Sequence, residues 1–148
     1  MANPNIKPSQ SVALLAQMSP VSQAAATVTS DWVSLANCDA ILAILQTGVL
    51  GAGATIDAKL RQATSAAGAN AKDITGKAIT QLVKASNDND QVMINCRSDE
   101  LDVNGGFTHV CLSITVANAA SLISAMILGF NARYQPVTHG GDVVEVVG

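Results

Sequence analysis

The stretch TGVLGAGATIDAKLRQAT, Thr47 to Thr64, decides the fold class. Its second half alternates without a break. Ile56, Ala58 and Leu60 fall on one side, and Thr55, Asp57, Lys59 and Arg61 on the other. A period of two sends successive side chains to opposite faces of a pleated strand, so this segment reads as a half-buried strand. The glycines at 48, 51 and 53 predict a turn before it. Because a strand follows GAGA (Gly51 to Ala54), there is no helix N-terminus to receive a phosphate, and the glycines read as a hairpin turn.

Outward from this strand the same signal recurs. Ala40–Thr47 is apolar on both faces, as a central strand is. Thr27–Val33 is rich in β-formers and holds the only tryptophan, Trp32. Gln91–Arg97 alternates, with Val92, Ile94 and Cys96 inward. Thr108–Val116 places Val110, Leu112, Ile114 and Val116 on one face and His109, Cys111, Ser113 and Thr115 on the other. Leu122–Leu128 is apolar, and Gly129 is expected to end it. Ile74–Lys84 fits a strand or a short helix; its β-branched residues and Gly76 favour strand or irregular structure. Turns are expected at Asn87–Asp90, at Ser98–Gly106 with its Asn104-Gly105 pair, and at Asn118–Ala120. About six or seven short strands separated by turns predict an all-β protein. The expected form is an antiparallel β-sandwich or barrel, jelly-roll or Ig-like.

The flanks read differently. Three of the four prolines, Pro4, Pro8 and Pro20, lie in residues 1–23, which are expected to form an extended N-terminal arm with a helical turn or two in Ser9–Met18. Residues 24–134 form the sandwich domain, and residues 135–148 a C-terminal tail. That tail carries VVEVV after Gly140-Gly141. Such a pentad is a free strand that closes its own sheet or adds to a neighbour's.

Composition narrows the function. A chain of 148 residues suits one domain with a real core. Charged residues make up 13%, about half the usual quarter, so part of the surface is expected to be covered by a partner. The net charge of −3, with no basic stripe, disfavours nucleic acid. The longest strongly apolar run, Ala40–Leu45, is too short to span a bilayer, and the first residues, MANPNIKPSQS, lack the apolar run of a secretory signal. Cys38, Cys96 and Cys111 are an odd, widely spaced set, which fits buried free thiols in a reducing compartment.

Chemistry-bearing patterns are sparse. There are two histidines, His109 and His139, and no GxSxG. His109, Cys111 and Cys96 lack the spacing of a metal site. Asp99, Glu100 and Asp102 share one loop and cannot flank a substrate from opposite sides. No catalytic residue, cofactor or metal is expected, and the protein is expected not to be an enzyme.

Leu50 to Pro136 also resembles a family of small structural proteins of tailed bacteriophages and prophages. The resembling elements are GAGATIDAKLRQAT, DITGKAITQL, NDNDQVMINCRSDELDVNGGFTHVCLSITV and LGFNARYQPV. Within them Arg97, Glu100 and Leu101 fill an R-x-x-E-L loop, and Phe107 leads into the next strand. Leu128, Gly129, Arg133, Tyr134 and Pro136 fill a closing LG-x-x-x-RY-x-P. The resemblance covers somewhat over half of the chain. It implies a virion protein on the capsid exterior, made in the bacterial host cytoplasm. In that role it is a capsid decoration (cement) protein, which binds the major capsid protein and self-associates as a homo-oligomer. Neither nucleic acid nor a membrane is an expected partner.

For such adhesion the expected partner-binding residues are Leu14, Leu15 and Met18 in the arm, Trp32, Arg133 and Tyr134, and Val143, Val144, Val146 and Val147 in the tail. Trp32 and Tyr134 serve equally well as plugs at the ends of the sandwich. Rival roles are a tail-tube or head–tail joining protein and a carbohydrate- or host-surface-binding β-sandwich.

Overall fold

The computed structural model describes residues 4–148; Met1–Asn3 of the expected arm lie outside the described residues. One helical turn, α1 (Pro8–Ser11), precedes ten strands. In chain order these are β1 (Ala13–Gln23), β2 (Ala26–Thr29), β3 (Val33–Ser34), β4 (Cys38–Thr47) and β5 (Thr55–Ala63). Then follow β6 (Lys72–Ala78), β7 (Leu82–Val83), β8 (Gln91–Arg97), β9 (His109–Ala117) and β10 (Ser121–Ala132).

Two sheets face each other. The first runs β1-β10-β4-β8; the second runs β2-β9-β5-β6, with β3 beside β9 and β7 beside β5. All pairings are antiparallel. Setting the two short strands aside, β1 pairs with β10, β2 with β9, β4 with β8 and β5 with β6. The first half of the chain thus pairs with the second half in nested order around the β5–β6 connection. This folded ribbon, wound so that all connections between the principal strands except β5–β6 cross from sheet to sheet, is a jelly roll. The nesting decides between the jelly-roll and Ig-like alternatives.

The core lies between the inner faces. Ile41, Ala43 and Leu45 of β4 and Ile123, Ala125 and Ile127 of β10 meet Ile56, Ala58 and Leu60 of β5 and Val110, Leu112, Ile114 and Val116 of β9. The alternation of Thr55–Gln62 therefore points as expected. Leu50, Leu101 and Phe107 seal the ends, and the core is almost wholly aliphatic.

Several expectations are corrected. The arm does not extend to Gln23, because Ala13–Gln23 is an edge strand of the first sheet. Pro20 is tolerated there because it sits in a register shift between Met18 and Val21, on an edge strand where a missing N–H is least costly. Of the helical turn or two expected in Ser9–Met18, only the turn Pro8–Ser11 forms. Gly129 does not end β10; it pairs with Ile41 inside the strand. A Cβ there would lie 2.7 Å from Cys38 Sγ and 2.9 Å from Leu15 Cδ1, so its role is close packing. Ile74–Lys84 divides into β6 and β7, with a bulge around Gly76 (φ 77°). Cys111 and Ser113 are buried although they sit on the expected polar face. Arg61 lies opposite Cys111, and Thr29 and Lys59 opposite Ser113, so the stems of long neighbours flank both. The tail pentad forms no strand.

Two substitutions test this packing. Leu60→Ala, at a fully buried position opposite Leu112, is expected to cost about 2–5 kcal/mol. Gly129→Val is expected to cost about 1–3 kcal/mol through overpacking. Both are read from urea-unfolding midpoints with an unchanged m-value.

Candidate functional site

The outer faces of the two sheets differ in chemistry. In the second sheet, Asp57, Lys59 and Arg61 of β5 stand beside Thr115 and Ser113 of β9. Asp73 of β6 accepts from Lys59 Nζ at 2.7 Å and from Arg61 Nε at 3.2 Å. These two bases, Lys59 foremost, hold its carboxyl below the usual range. Gln81 donates to Asp57 at 2.8 Å, and the Thr27 and Thr115 hydroxyls meet at 2.8 Å. This is a solvated, ion-paired face.

The outer face of the first sheet carries an apolar band, bordered by the polar Gln46, Gln91, Asn95 and Ser124. Register places Leu14 of β1 opposite Leu128 of β10, and Leu128 opposite Leu42 of β4. Met126 lies opposite Ile44, which lies opposite Met93 of β8. Phe130 lies opposite Ala40, and Leu122 extends the row toward the turn. Met93 is 60% exposed, Leu122 46% and Met126 40%; Leu14, Leu42, Ile44, Leu128 and Phe130 are half-buried. Among the described residues, the only charged side chain in these registers is Arg97, at the corner beside Ala40. An antiparallel sheet with one wet face ordinarily carries polar residues there. Exposed apolar side chains grouped in this way are of the kind found at interaction surfaces.

The acidic loops are occupied from within the chain. Glu100 takes Lys77 at 2.8 Å and the Arg97 amide at 2.7 Å. Asp102 takes Lys72 at 2.6 Å and the Gly105 amide at 2.9 Å, while its own amide donates to the buried Gln62 at 2.8 Å. Asp88 takes Lys84 and the Leu50 amide, tying the β7–β8 turn to the β4–β5 loop. In each case the lysine hydrogen bond is the largest cause that holds the carboxyl below its ordinary range, followed by the backbone amide.

The thiols are inert. Burial pushes Cys96 and Cys111 up to about 11 and raises Cys38, the last helped by Asp39. Protonated thiols are neither nucleophiles nor good metal ligands. Cys96 lies on β8 and Cys111 on β9, in different sheets. The His109 ring is engaged by the Thr108 hydroxyl at 2.8 Å. Among the described residues no group of three His, Cys, Asp or Glu side chains is placed to hold a metal ion, and no helix is long and apolar enough to cross a membrane.

The residues proposed from sequence as partner-binding do not form one patch. Leu14 joins the apolar face, whereas Leu15 and Met18 pack against the core. Trp32 is half-buried over the Ser65–Asn70 loop, where a Cβ on Gly68 would lie 2.5 Å from its Nε1. Arg133 pairs with Asp39 at 3.2 Å. Tyr134 is 76% exposed. Val143 is half-buried beside Leu14–Gln17, and Val144, Val146 and Val147 are exposed. Sequence reading missed Met93, Met126, Leu122 and Leu128. Their signal was the apolar character of both parities in 40–45 and 122–128.

No protein-family model matches the chain, and no curated protein matches it. Among solved structures it is similar to a chain of the cryo-EM atomic structure of Broad Bean Stain Virus, at 12% sequence identity and a TM-score of 0.46, over 79% of this chain and 67% of that one. A likeness so distant carries no argument about role. The jelly roll rests on the strand order itself.

Two measurements follow from these environments. At pH 8 an aromatic disulfide reagent is expected to label none of the three cysteines of the native protein and all of them in denaturant. The depressed carboxylates Asp73, Asp88, Glu100 and Asp102 stabilise the fold above the ordinary carboxylate range, about pH 4, and this contribution is lost as pH falls through their folded values. The urea midpoint is therefore expected to drop between pH 6 and pH 3, and Asp88→Asn to shrink that drop.

Proposed function

We propose that this chain is a structural protein of a virus particle, and within it a capsid decoration protein that lies on the major capsid lattice and also contacts copies of itself. The observation that carries this reading is the apolar band on the outer face of the β1-β10-β4-β8 sheet, opposite a sheet whose outer face is ion-paired and solvated. A protein that works by adhesion needs one covered face and one wet face on a rigid body. The jelly roll supports the reading by analogy of fold, since capsid domains use this architecture, as do lectins. The resemblance of Leu50–Pro136 to small phage structural proteins supports it from the sequence. The proposed role is adhesive rather than catalytic. Its partners are the major capsid protein and a second copy of the chain, and its place is the particle exterior.

Copy number tests it. Particles purified on a density gradient from a host carrying this gene are expected to hold the chain at one per capsid subunit or a simple fraction of that. A few copies per particle would move the chain to the tail or the head–tail joint. Absence from particles would defeat the virion reading. Met93→Lys and Met126→Lys together are expected to reduce occupancy at least tenfold with the urea midpoint unchanged, while Asp57→Lys on the opposite sheet leaves occupancy as it was.

A further inference from the structure

The tail folds back onto the start of the chain. The Val137 amide donates to Gln10 O at 3.1 Å, and the Gly140 amide to Leu14 O at 2.6 Å. Between them His139 bridges two main-chain groups. Its Nδ1 accepts the Leu14 amide at 3.1 Å, and its Nε2 lies 2.9 Å from Ser9 O. A carbonyl only accepts and an amide only donates, so Nε2 carries the hydrogen and Nδ1 is bare. The ring is therefore held neutral in a single tautomer. His139 and Gly140 together satisfy both the N–H and the C=O of Leu14 on the free edge of β1. The approach is close: a Cβ on Gly140 would lie 2.9 Å from Leu15 O.

We propose that His139 is the pin of a pH-sensitive latch that holds residues 137–143 on the edge of β1. A proton on Nδ1 turns its one acceptor into a second donor aimed at the Leu14 N–H. The bridge then breaks, and the tail leaves the edge. Nothing else in these elements titrates against the ring. Residues 8–23 contain no ionisable side chain, and neither does β10. Arg133, just beyond β10, is paired with Asp39. Lys7 approaches the far end of the tail at Gly148, and the tail's own acids are Asp142 and Glu145. Release uncovers the main-chain groups of Leu14 and frees Val143, the half-buried first residue of the otherwise exposed VVEVV run. An unpaired strand edge and a β-prone segment are the two halves of strand addition between copies. The latch thus times when the chain offers them.

The test is amide exchange and relaxation by NMR on the full chain from pH 8 to pH 5, with exchange corrected for its intrinsic pH dependence. The Leu14 and Gly140 amides are expected to lose at least tenfold in protection as the His139 ring titrates, with residues 143–147 gaining mobility and the Leu112 and Ile114 amides of the core unchanged. His139→Gln is expected to abolish the pH step, whether its tail sits docked or free, while His109→Gln keeps it. Protection of Leu14 that persists after His139 is protonated would overturn the proposal. So would a pH step that survives in His139→Gln, or loss of core protection together with the tail.

Discussion

Two seams turn a folded ribbon into a sandwich: β5 against β9, from Thr55–Ala117 to Ala63–His109, and β4 against β10, from Cys38–Ala132 to Thr47–Ile123. Both bring together strands that are far apart in sequence. Each seam also places apolar side chains from its two strands on one inner face, so backbone pairing and burial are satisfied by the same register. A slip of one residue would turn Ile56, Ala58 and Leu60 to solvent and Asp57, Lys59 and Arg61 into the core. That penalty makes the register unique. The edge strands, the loops and the tail are all placed by reference to these two pairs.

The seams also separate the chemistry of the surface. β5 carries its charges outward, and β6 answers them with Asp73, so the second sheet is dressed for water. β4 and β10 have apolar residues at both parities, so whichever side faces inward, the other leaves an apolar surface. Burial of such side chains is worth roughly 25 cal/mol per Å². A surface of this kind is therefore a standing drive toward association. The chain has few charges to oppose it.

The ends of the chain add a reversible element to this rigid body. β1 is an edge strand that accommodates a proline and two register shifts, and at Leu14 the tail covers its edge. The covering depends on hydrogen bonds to main chain, with Val143 packed beside Leu14–Gln17. Hydrogen bonds at a solvent-facing edge open locally at little cost, unlike the seams. The seams keep the faces, while the tail is held at the edge by a few hydrogen bonds.

Alternation in Thr55–Gln62, Gln91–Arg97 and Thr108–Val116 was legible in the amino-acid sequence, because a period of two is a local property of the strand. The turns at Asn87–Asp90 and Asn118–Ala120 and the all-β class were legible for the same reason. The strand at Ala13–Gln23 was obscured by prolines, whose effect depends on whether the strand lies at an edge. Gly129 was misread as a terminator because its neighbours Cys38 and Leu15 come from distant parts of the chain. The apolar face was hidden too, since apolar residues at both parities do not say which side a partner sheet covers. Sequence by itself determined the alternating strands and their two-sidedness, which are set by steps along the backbone. Only the tertiary structure decided the nesting, the exposed face and the His139 bridge, because each arises where segments far apart in the chain compete to be covered.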